Sequence, residues 1–387
     1  MDAMSVVAAK GFRAAGLAAG IKRSGLDMAL IAADEPVPSA AVFTTSLTAA
    51  PPVEVSRAHL ASGRIQAIVV NSGAANAGTG EAGVTDAEAM AHAVAVELGC
   101  EPTDVAVCST GPIGGRLPTD RILAAIPRLV ADLGDDDGHA LAAAGGILTT
   151  DSVEKTASTS GRDWIVGGMA KGAGMVRPDM ATMLAFLTTD AVATTETLQG
   201  ILTSVVDTTF NALNIDGCQS TNDTVILMAS GASQIEPSPS ELANAVEEVC
   251  RSLALQMARD AEGASKVVTI EVSGAADDES ARRIGMRVAD SALVRSSFYG
   301  ADPNWGRILA ALGVTGEKVD QGEVRISYEG TLVCSGGVAS PFAEAELSSR
   351  LVGDFTVGIG VGGGDGYAVV TTTDLTPDYV IFNGERS

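Results

Sequence analysis

Lys171-Gly172-Ala173-Gly174-Met175-Val176-Arg177-Pro178-Asp179-Met180-Ala181-Thr182-Met183-Leu184 runs from a glycine-loosened loop, through Pro178, to a lone hydroxyl residue, Thr182. Residues 164–169 read as a strand entering this loop, and the apolar run 183–188 reads as a buried strand leaving it. A threonine hydroxyl is a weak nucleophile unless a base lies beside it. One way to supply that base is to make threonine the first residue of a chain, so that its own α-amino group takes the proton. That requires breaking the Ala181–Thr182 bond. Taken alone, Thr182 also fits a buried threonine at a strand start.

Composition narrows the alternatives. Lys and Arg total 25 against 48 Asp and Glu, a formal net charge of −23. A field of that sign repels nucleic acid and anionic membrane surfaces, so neither is expected as a partner. The chain is 46% hydrophobic but only 4% aromatic, which predicts a core of small residues packed closely. Apolar residues near the N-terminus are interrupted by Gly16 and Gly20 and form neither a targeting signal nor a spanning helix. The cysteines, Cys100, Cys108, Cys218, Cys250 and Cys334, are odd in number and scattered, with no CxxC pair. A reducing cytosol fits best, and neither a disulfide framework nor a zinc site is indicated. The three histidines, His59, His92 and His139, lie in surroundings that suit surface or packing roles. A catalyst that dispenses with histidine therefore gains weight over a Ser-His-Asp system.

Strands and helices alternate without a strict βαβ rhythm. Residues 65–70, 105–108 and 267–272 read as strands. Residues 85–98 read as an amphipathic helix, with Thr85 and Glu88 at capping-box spacing and Gly99 placed to end it. Ser238-Pro239-Ser240-Glu241 starts a second helix, with one apolar stripe through Leu242, Val246, Val249, Leu253 and Met257. The acidic turn Asp135-Asp136-Asp137-Gly138 reads as solvated surface. Glycine-rich 358–366 lacks the following helix that a dinucleotide loop needs, and reads as a hairpin connection. This is a mixed α/β pattern.

The central block resembles the self-cleavage site of the ornithine acetyltransferase (glutamate N-acetyltransferase) family of arginine biosynthesis. Gly11-Phe12-Arg13-Ala14-Ala15-Gly16, Ala19-Gly20-Ile21-Lys22, Asn71-Ser72-Gly73 and Cys108-Ser109-Thr110-Gly111 resemble it too. So do Thr149-Thr150-Asp151, Ser220-Thr221-Asn222-Asp223-Thr224, Asp260-Ala261-Glu262-Gly263 and Asp302-Pro303-Asn304-Trp305-Gly306-Arg307. The match spans nearly the whole chain in the expected order.

The resemblance implies an αββα layered core with a smaller C-terminal α/β lobe. It implies an α segment, 1–181, and a β segment, 182–387, both contributing to the core and pairing into an α2β2 tetramer. Thr182 would take an acetyl group from N2-acetyl-L-ornithine and pass it to L-glutamate, with no metal or bound cofactor. The Thr110 hydroxyl and Gly111 N–H would hold the oxyanion, although alone these residues fit a plain strand-to-turn junction. Thr149, Lys171, Thr182, Glu262, Asn383 and Ser387 would contact substrate. Lys171 is the only charge between Ile165 and Val176 and suits an anionic ligand; Glu262 suits a cationic amine. Cys108 beside Thr110 reads as a buried thiol.

Two departures bear on specificity. Gly78 stands where the family usually has cysteine, and the tail 379–387 lacks the usual tyrosine after Asn383. The tail is expected to close the acyl-donor pocket through Asn383 and Ser387; if extended, it points Phe382 away from Asn383. A different donor or acceptor, acetyl-CoA as a further donor, or transfer to water as in related self-cleaving amidohydrolases and aminopeptidases are the remaining readings. A non-enzymatic binding role with a merely structural Thr182 is the plainest alternative.

Overall fold

The structure, a computed structural model, describes residues 5–176 and 183–385. It divides into two compact units, Met1–Phe210 with Cys218–Met257, and Asn211–Gly217 with Ala258–Ser387. Residues from both sides of position 181 build the first unit.

The first unit contains strands β1 (Phe12–Leu17), β2 (Met28–Phe43), β3 (Arg64–Ser72), β4 (Val105–Thr110), β5 (Lys155–Ser160), β6 (Ile165–Lys171) and β7 (Leu184–Thr189). After β8 (Leu213–Asn214), which belongs to the second unit, comes β9 (Thr224–Ala229). Its helices are α1 (Pro51–His59), α2 (Gly80–Leu98), α3 (Thr119–Ala131), α4 (Asp137–Gly146), α5 (Thr195–Thr208) and most of α6 (Pro239–Arg259). The strands hydrogen-bond in the order β4-β3-β2-β9-β7-β6-β5, with β1 on β2.

β2 is the pivot of this arrangement. Its first half, through Ala33, pairs with β1 and β3, and Val37 and Pro38 rejoin β3 after a bend; its last residues, Ser39 to Phe43, pair with β9. The ladder with β3 slips across Asp34-Glu35-Pro36. Proline has no N–H to give the ladder, and two charges in the bend stay at the surface. One strand thus serves two layers. Between the layers pack Ala29, Ile31, Ile68, Val70, Ala106 and Cys108 from one side and Met169, Leu184, Phe186, Ile226 and Met228 from the other. On the outer face of the first layer, Met28, Leu30, Ala67, Val69, Val105 and Val107 meet α2 and α3. Outside the second, Gly168 faces Val249 and Leu253 of α6. Successive residues face opposite sides of a strand, and both faces here are covered, so the strands read as continuous apolar runs. The result is the αββα layering.

The small-residue core is literal. The sequence of α4 is rich in alanine and glycine, and Asp136 caps it by accepting from His139 N–H. The helix lies so close to β1 that a Cβ on Gly16 would stand 1.9 Å from the Ala142 carbonyl oxygen. The apolar stripe of α6 is buried, and Ser238 and Glu241 form the expected capping box.

Two local expectations are corrected. Helix α2 begins at Gly80, not Thr85; Thr85 is inside it, its hydroxyl donating to the Glu81 carbonyl. Gly99 does end it, in the left-handed conformation at φ +73°. The glycine-rich 358–366 is not a hairpin.

In the second unit, β10 (Val267–Ala275), β11 (Arg325–Tyr328), β12 (Thr331–Ser335), β13 (Val338–Ala339), β14 (Phe355–Gly360) and β15 (Gly366–Thr373) form the order β13-β12-β11-β14-β10-β15-β8. β14 and β15 lie on opposite sides of β10, so their link crosses that strand's end, where a Cβ on Gly364 would stand 2.0 Å from the Ala275 carbonyl oxygen. Helices α7 (Asp278–Ala289), α8 (Ala292–Tyr299), α9 (Trp305–Leu312), α10 (Glu344–Arg350) and α11 (Pro377–Gly384) complete it. Its core includes Val268, Ile270, Ile284, Phe298, Ile326 and Val357.

The close α4–β1 approach makes a test. Gly16→Ala forces helix and strand apart and is expected to cost ~1–3 kcal/mol. Gly200→Ala, on an exposed turn of α5 with nothing within 4 Å of a new Cβ, is expected to stabilise by ~0.5–1 kcal/mol. Denaturant unfolding of the two variants should move the midpoint in opposite directions.

Candidate active site

β4 ends at Thr110 and β6 ends at Lys171, while β7 and β9 begin at Leu184 and Thr224. Lys171, Leu184 and Thr224 are register partners across three neighbouring strands. Chemistry-bearing residues therefore gather where these strands end or begin.

At that edge the Lys171 ammonium, 2% exposed, donates to Thr149 Oγ1 at 2.7 Å and to Thr110 Oγ1 at 3.2 Å. Asp151 Oδ2 lies 3.9 Å from it. Asp151 Oδ1 accepts from Lys155 Nζ and from Gly172 N–H, each at 2.7 Å, and Thr149 N–H reaches Oδ2 at 3.2 Å. Both Lys155 and Asp151 side chains are fully buried. Burial alone pushes the Asp151 carboxyl up; the charges of Lys171 and Lys155 and the bonds from Lys155 and Gly172 outweigh it, bringing it down to about 2. A buried carboxylate is thus held ionised between two buried lysines. Lys22, bonded to the Leu148 carbonyl at 3.0 Å, extends this charge system; burial lowers its ammonium, against the pull of Asp27 and Asp151.

The motif residues around Thr110 are its scaffold. Asn71 accepts from the Ser109 hydroxyl at 2.6 Å and donates to the Ala74 carbonyl at 2.9 Å. Asn222 donates to the carbonyls of Ala75 and Ser109 at 2.7 and 2.9 Å. Gly111, at φ +138°, lies flat against Gly73 and Ala74; a Cβ there would stand 2.5 Å from the Ala74 nitrogen. Lys171 occupies an acceptor position of Thr110 Oγ1, so the hydroxyl proton of Thr110 is left to point elsewhere. That arrangement suits donation to a developing negative charge, with a fixed ammonium behind the donor.

In the second unit Glu262 Oε2 accepts from Asn383 Nδ2 at 3.1 Å. The tail there is not extended: Asn383 is on α11, its amide also bonding the Tyr379 carbonyl. Thr376 caps this helix by accepting from Tyr379 N–H, and Pro377 sits at the first turn. Gly263 is where α11 abuts the preceding loop, since a Cβ would stand 2.3 Å from Tyr379 N. The predicted residues Thr110, Gly111, Thr149 and Lys171 thus lie in the first unit, and Glu262 and Asn383 in the second. Ala181, Thr182 and Ser387 lie outside the described residues.

The other sequence readings divide clearly. Cys108 is buried, and burial pushes its thiol up to about 12, so it is no thiolate. His59 bonds the Val105 carbonyl, His139 bonds the capping Asp136, and His92 is exposed on α2. Asp151, Lys155 and Asn222 were missed as site residues; only the Thr149-Thr150-Asp151 and 220–224 motifs pointed to two of them. Among the described residues, no helix is long and apolar enough to cross a membrane.

The layered fold and a buried lysine clasped by two threonines define a mixed α/β protein of the αββα kind. The ArgJ family model matches residues 13–387. The chain is 46% identical over 387 residues to the arginine biosynthesis bifunctional protein ArgJ of Thermobifida fusca, covering 99% of this chain and 100% of that protein. It is 46% identical over 402 residues to the protein of the same name in Mycobacterium tuberculosis H37Rv, covering 100% and 97%. It also resembles a crystal structure of ornithine acetyltransferase complexed with ornithine from Mycobacterium tuberculosis, at 43% identity and a TM-score of 0.45, over 47% of this chain and 97% of that one. The chain belongs to the ArgJ family.

The buried Lys155–Asp151–Lys171 group is expected to dominate local stability. Asp151→Asn leaves two lysines without their carboxylate and should cost ~3–5 kcal/mol. The Asp151 carboxyl is depressed in the fold, so its stabilisation is present above the unfolded carboxylate range and lost as pH falls toward about 2. Urea unfolding between neutral and strongly acidic pH should show that loss in the wild type, with a shallower decline in Asp151→Asn.

Proposed function

We propose that this chain transfers an acetyl group from N2-acetyl-L-ornithine to L-glutamate in arginine biosynthesis. Membership of the ArgJ family over nearly the whole chain carries the reading. The Lys171–Thr110–Thr149 cluster supplies the chemistry it requires.

The chain first cuts itself between Ala181 and Thr182, giving segments 1–181 and 182–387. The Thr182 hydroxyl attacks the Ala181 carbonyl, the acyl group shifts from nitrogen to oxygen, and water hydrolyses the ester. The freed α-amine, with an ordinary pKa of about 7.7–8.0, then serves as base for the same hydroxyl. Thr182 attacks the donor's acetyl carbonyl. The Thr110 hydroxyl and Gly111 N–H stabilise the tetrahedral oxyanion, which collapses to acetyl-Thr182 as ornithine leaves; the glutamate amine then attacks that ester through a second oxyanion held by the same donors, and Thr182 is freed. Lys171 suits an anionic group of the substrate and Glu262 a cationic amine; Thr149, Asn383 and Ser387 are further substrate contacts of the same reading. The segments pair as an α2β2 tetramer in the cytoplasm and need no bound cofactor.

Purified protein should give two bands on a denaturing gel, and Thr182→Ala one uncut band without activity. Incubation with acetylornithine, with and without glutamate, should release ornithine fully only when glutamate is present. Equal release without glutamate would make the protein a hydrolase. Thr110→Ala should cut kcat by ~10²–10³ with the fold intact. Sequential rather than ping-pong kinetics, or an acetyl adduct on Cys108 alone, would reject the acetyl-threonine route.

A further inference from the structure

Asp223 is a second buried carboxyl at the same strand edge, in surroundings opposite to those of Asp151. Its side chain is fully buried. Oδ1 accepts from Met183 N–H at 2.7 Å. Oδ2, equally buried, has no hydrogen-bond partner among the described residues. Asp151, by contrast, has donors on both oxygens and a lysine in contact.

The backbone around Asp223 is held firmly. Its carbonyl accepts from Thr44 N–H at 2.9 Å, and the Ser220 carbonyl accepts from the Thr44 hydroxyl at 2.8 Å. The Thr221 carbonyl accepts from Ala50 N–H at 2.8 Å, and Asn222 is fastened to Ala75 and Ser109. The carboxyl is therefore aimed by a rigid loop at the Met183 amide, with the backbone of Ser220 and of Asp223 itself turned toward it. An ionised oxygen buried without a donor is costly, whereas a protonated one carries no charge to desolvate. Burial indeed pushes this carboxyl well above the usual range, against the opposing Met183 amide, the Lys171 charge and the Asp223 and Ser220 amides. Among the described residues, Lys171 is the charged group that acts on it. That lysine is already engaged by Thr110, Thr149 and Asp151, with Lys155 beyond, and Cys108, on β4 and bonded to Thr224, is a neutral thiol.

We propose that Asp223 is a positioning residue of the acyl-transfer site that works as a neutral carboxylic acid, fixing the Met183 amide through Oδ1 and keeping its proton on Oδ2. It is not the base for the threonine hydroxyl; that task stays with the α-amine. Two buried carboxyls of one site, one ionised and one neutral, thus divide the work: Asp151 fixes charge and Asp223 fixes the backbone. This inference rests on the acyl-transfer reading of Thr182.

The test compares Asp223→Asn, which keeps an acceptor and an uncharged donor, with Asp223→Ala, which keeps neither. Self-cleavage and acetyl transfer from acetylornithine to glutamate are followed in both. Ala should lose about 10²-fold in rate, the scale of a misplaced reacting group, and Asn should rescue most of it. A folded Asn variant as defective as Ala would overturn the proposal, because it would show that the carboxylate is needed. Wild-type rates in the Ala variant would overturn it as well. A second measurement stands apart from catalysis. A carboxyl raised in the fold stabilises fully below its unfolded range and loses that contribution as pH rises. The melting temperature of Asp223→Asn should therefore gain on the wild type between about pH 4 and pH 8. A constant gap would overturn the neutral-acid assignment. Inactivity of the wild type toward every acyl donor, with the widening gap intact, would instead strike at the acyl-transfer reading.

Discussion

The buried carboxylate of Asp151 is the constraint on which the site depends. Two lysines with no access to water cannot stay charged without it, and without a charged Lys171 the Thr110 and Thr149 hydroxyls have no common anchor. The low-polarity surroundings that make the pair costly also make each bond strong and directional. Strand order serves this group. β4 delivers Thr110, β6 delivers Lys171 and Gly172, and the short segment between α4 and β5 delivers Thr149 and Asp151 to the same edge. Glycine and alanine at the β1–α4 contact let that segment come close.

Much of this was legible in the sequence, for local reasons. The strands around the central loop, the capping box of α6 and its apolar stripe are patterns a short window contains. The motifs with Thr110, Thr149 and Lys171 could be placed by resemblance, and the structure brings those side chains into contact. What stayed hidden depends on partners far along the chain. Asp151 and Asp223 look like any of the 48 acidic residues until the fold buries them. The glycine-rich 358–366 suggests a hairpin because its two strands flank it; their true neighbour, β10, lies about ninety residues earlier, on the scale of non-local pairing that no window captures. Thr85 and Glu88 imitate a helix start inside a helix whose actual beginning, at Gly80, has no side-chain cap. The tail was read through Asn383 and Ser387 without a helix, although Thr376 and Pro377, just upstream, set it as one.

The contrast between the two buried carboxyls shows why residue type is a poor guide to role. Both are aspartates at one edge of one sheet. Donors on every side and two lysines hold one as an anion, while burial outweighs the backbone amides and the Lys171 charge around the other and favours its acid form. Lys171 influences both, yet its two threonine partners and Asp151 fix where its charge is spent.

The order β2-β9-β7-β6 has a consequence for the chain's integrity. β9 and β7, which follow position 182, are inserted between β2 and β6, which precede it. A cut after Ala181 would therefore sever no layer from another. It would turn two internal ladders, β2 with β9 and β6 with β7, into seams between separate molecules, interlocked like the fingers of two hands. Such pieces would part only by unravelling the middle of the sheet. Once apart, they would have to find each other in solution, so a fold that forms as one chain would reassemble only as a concentration-dependent pair.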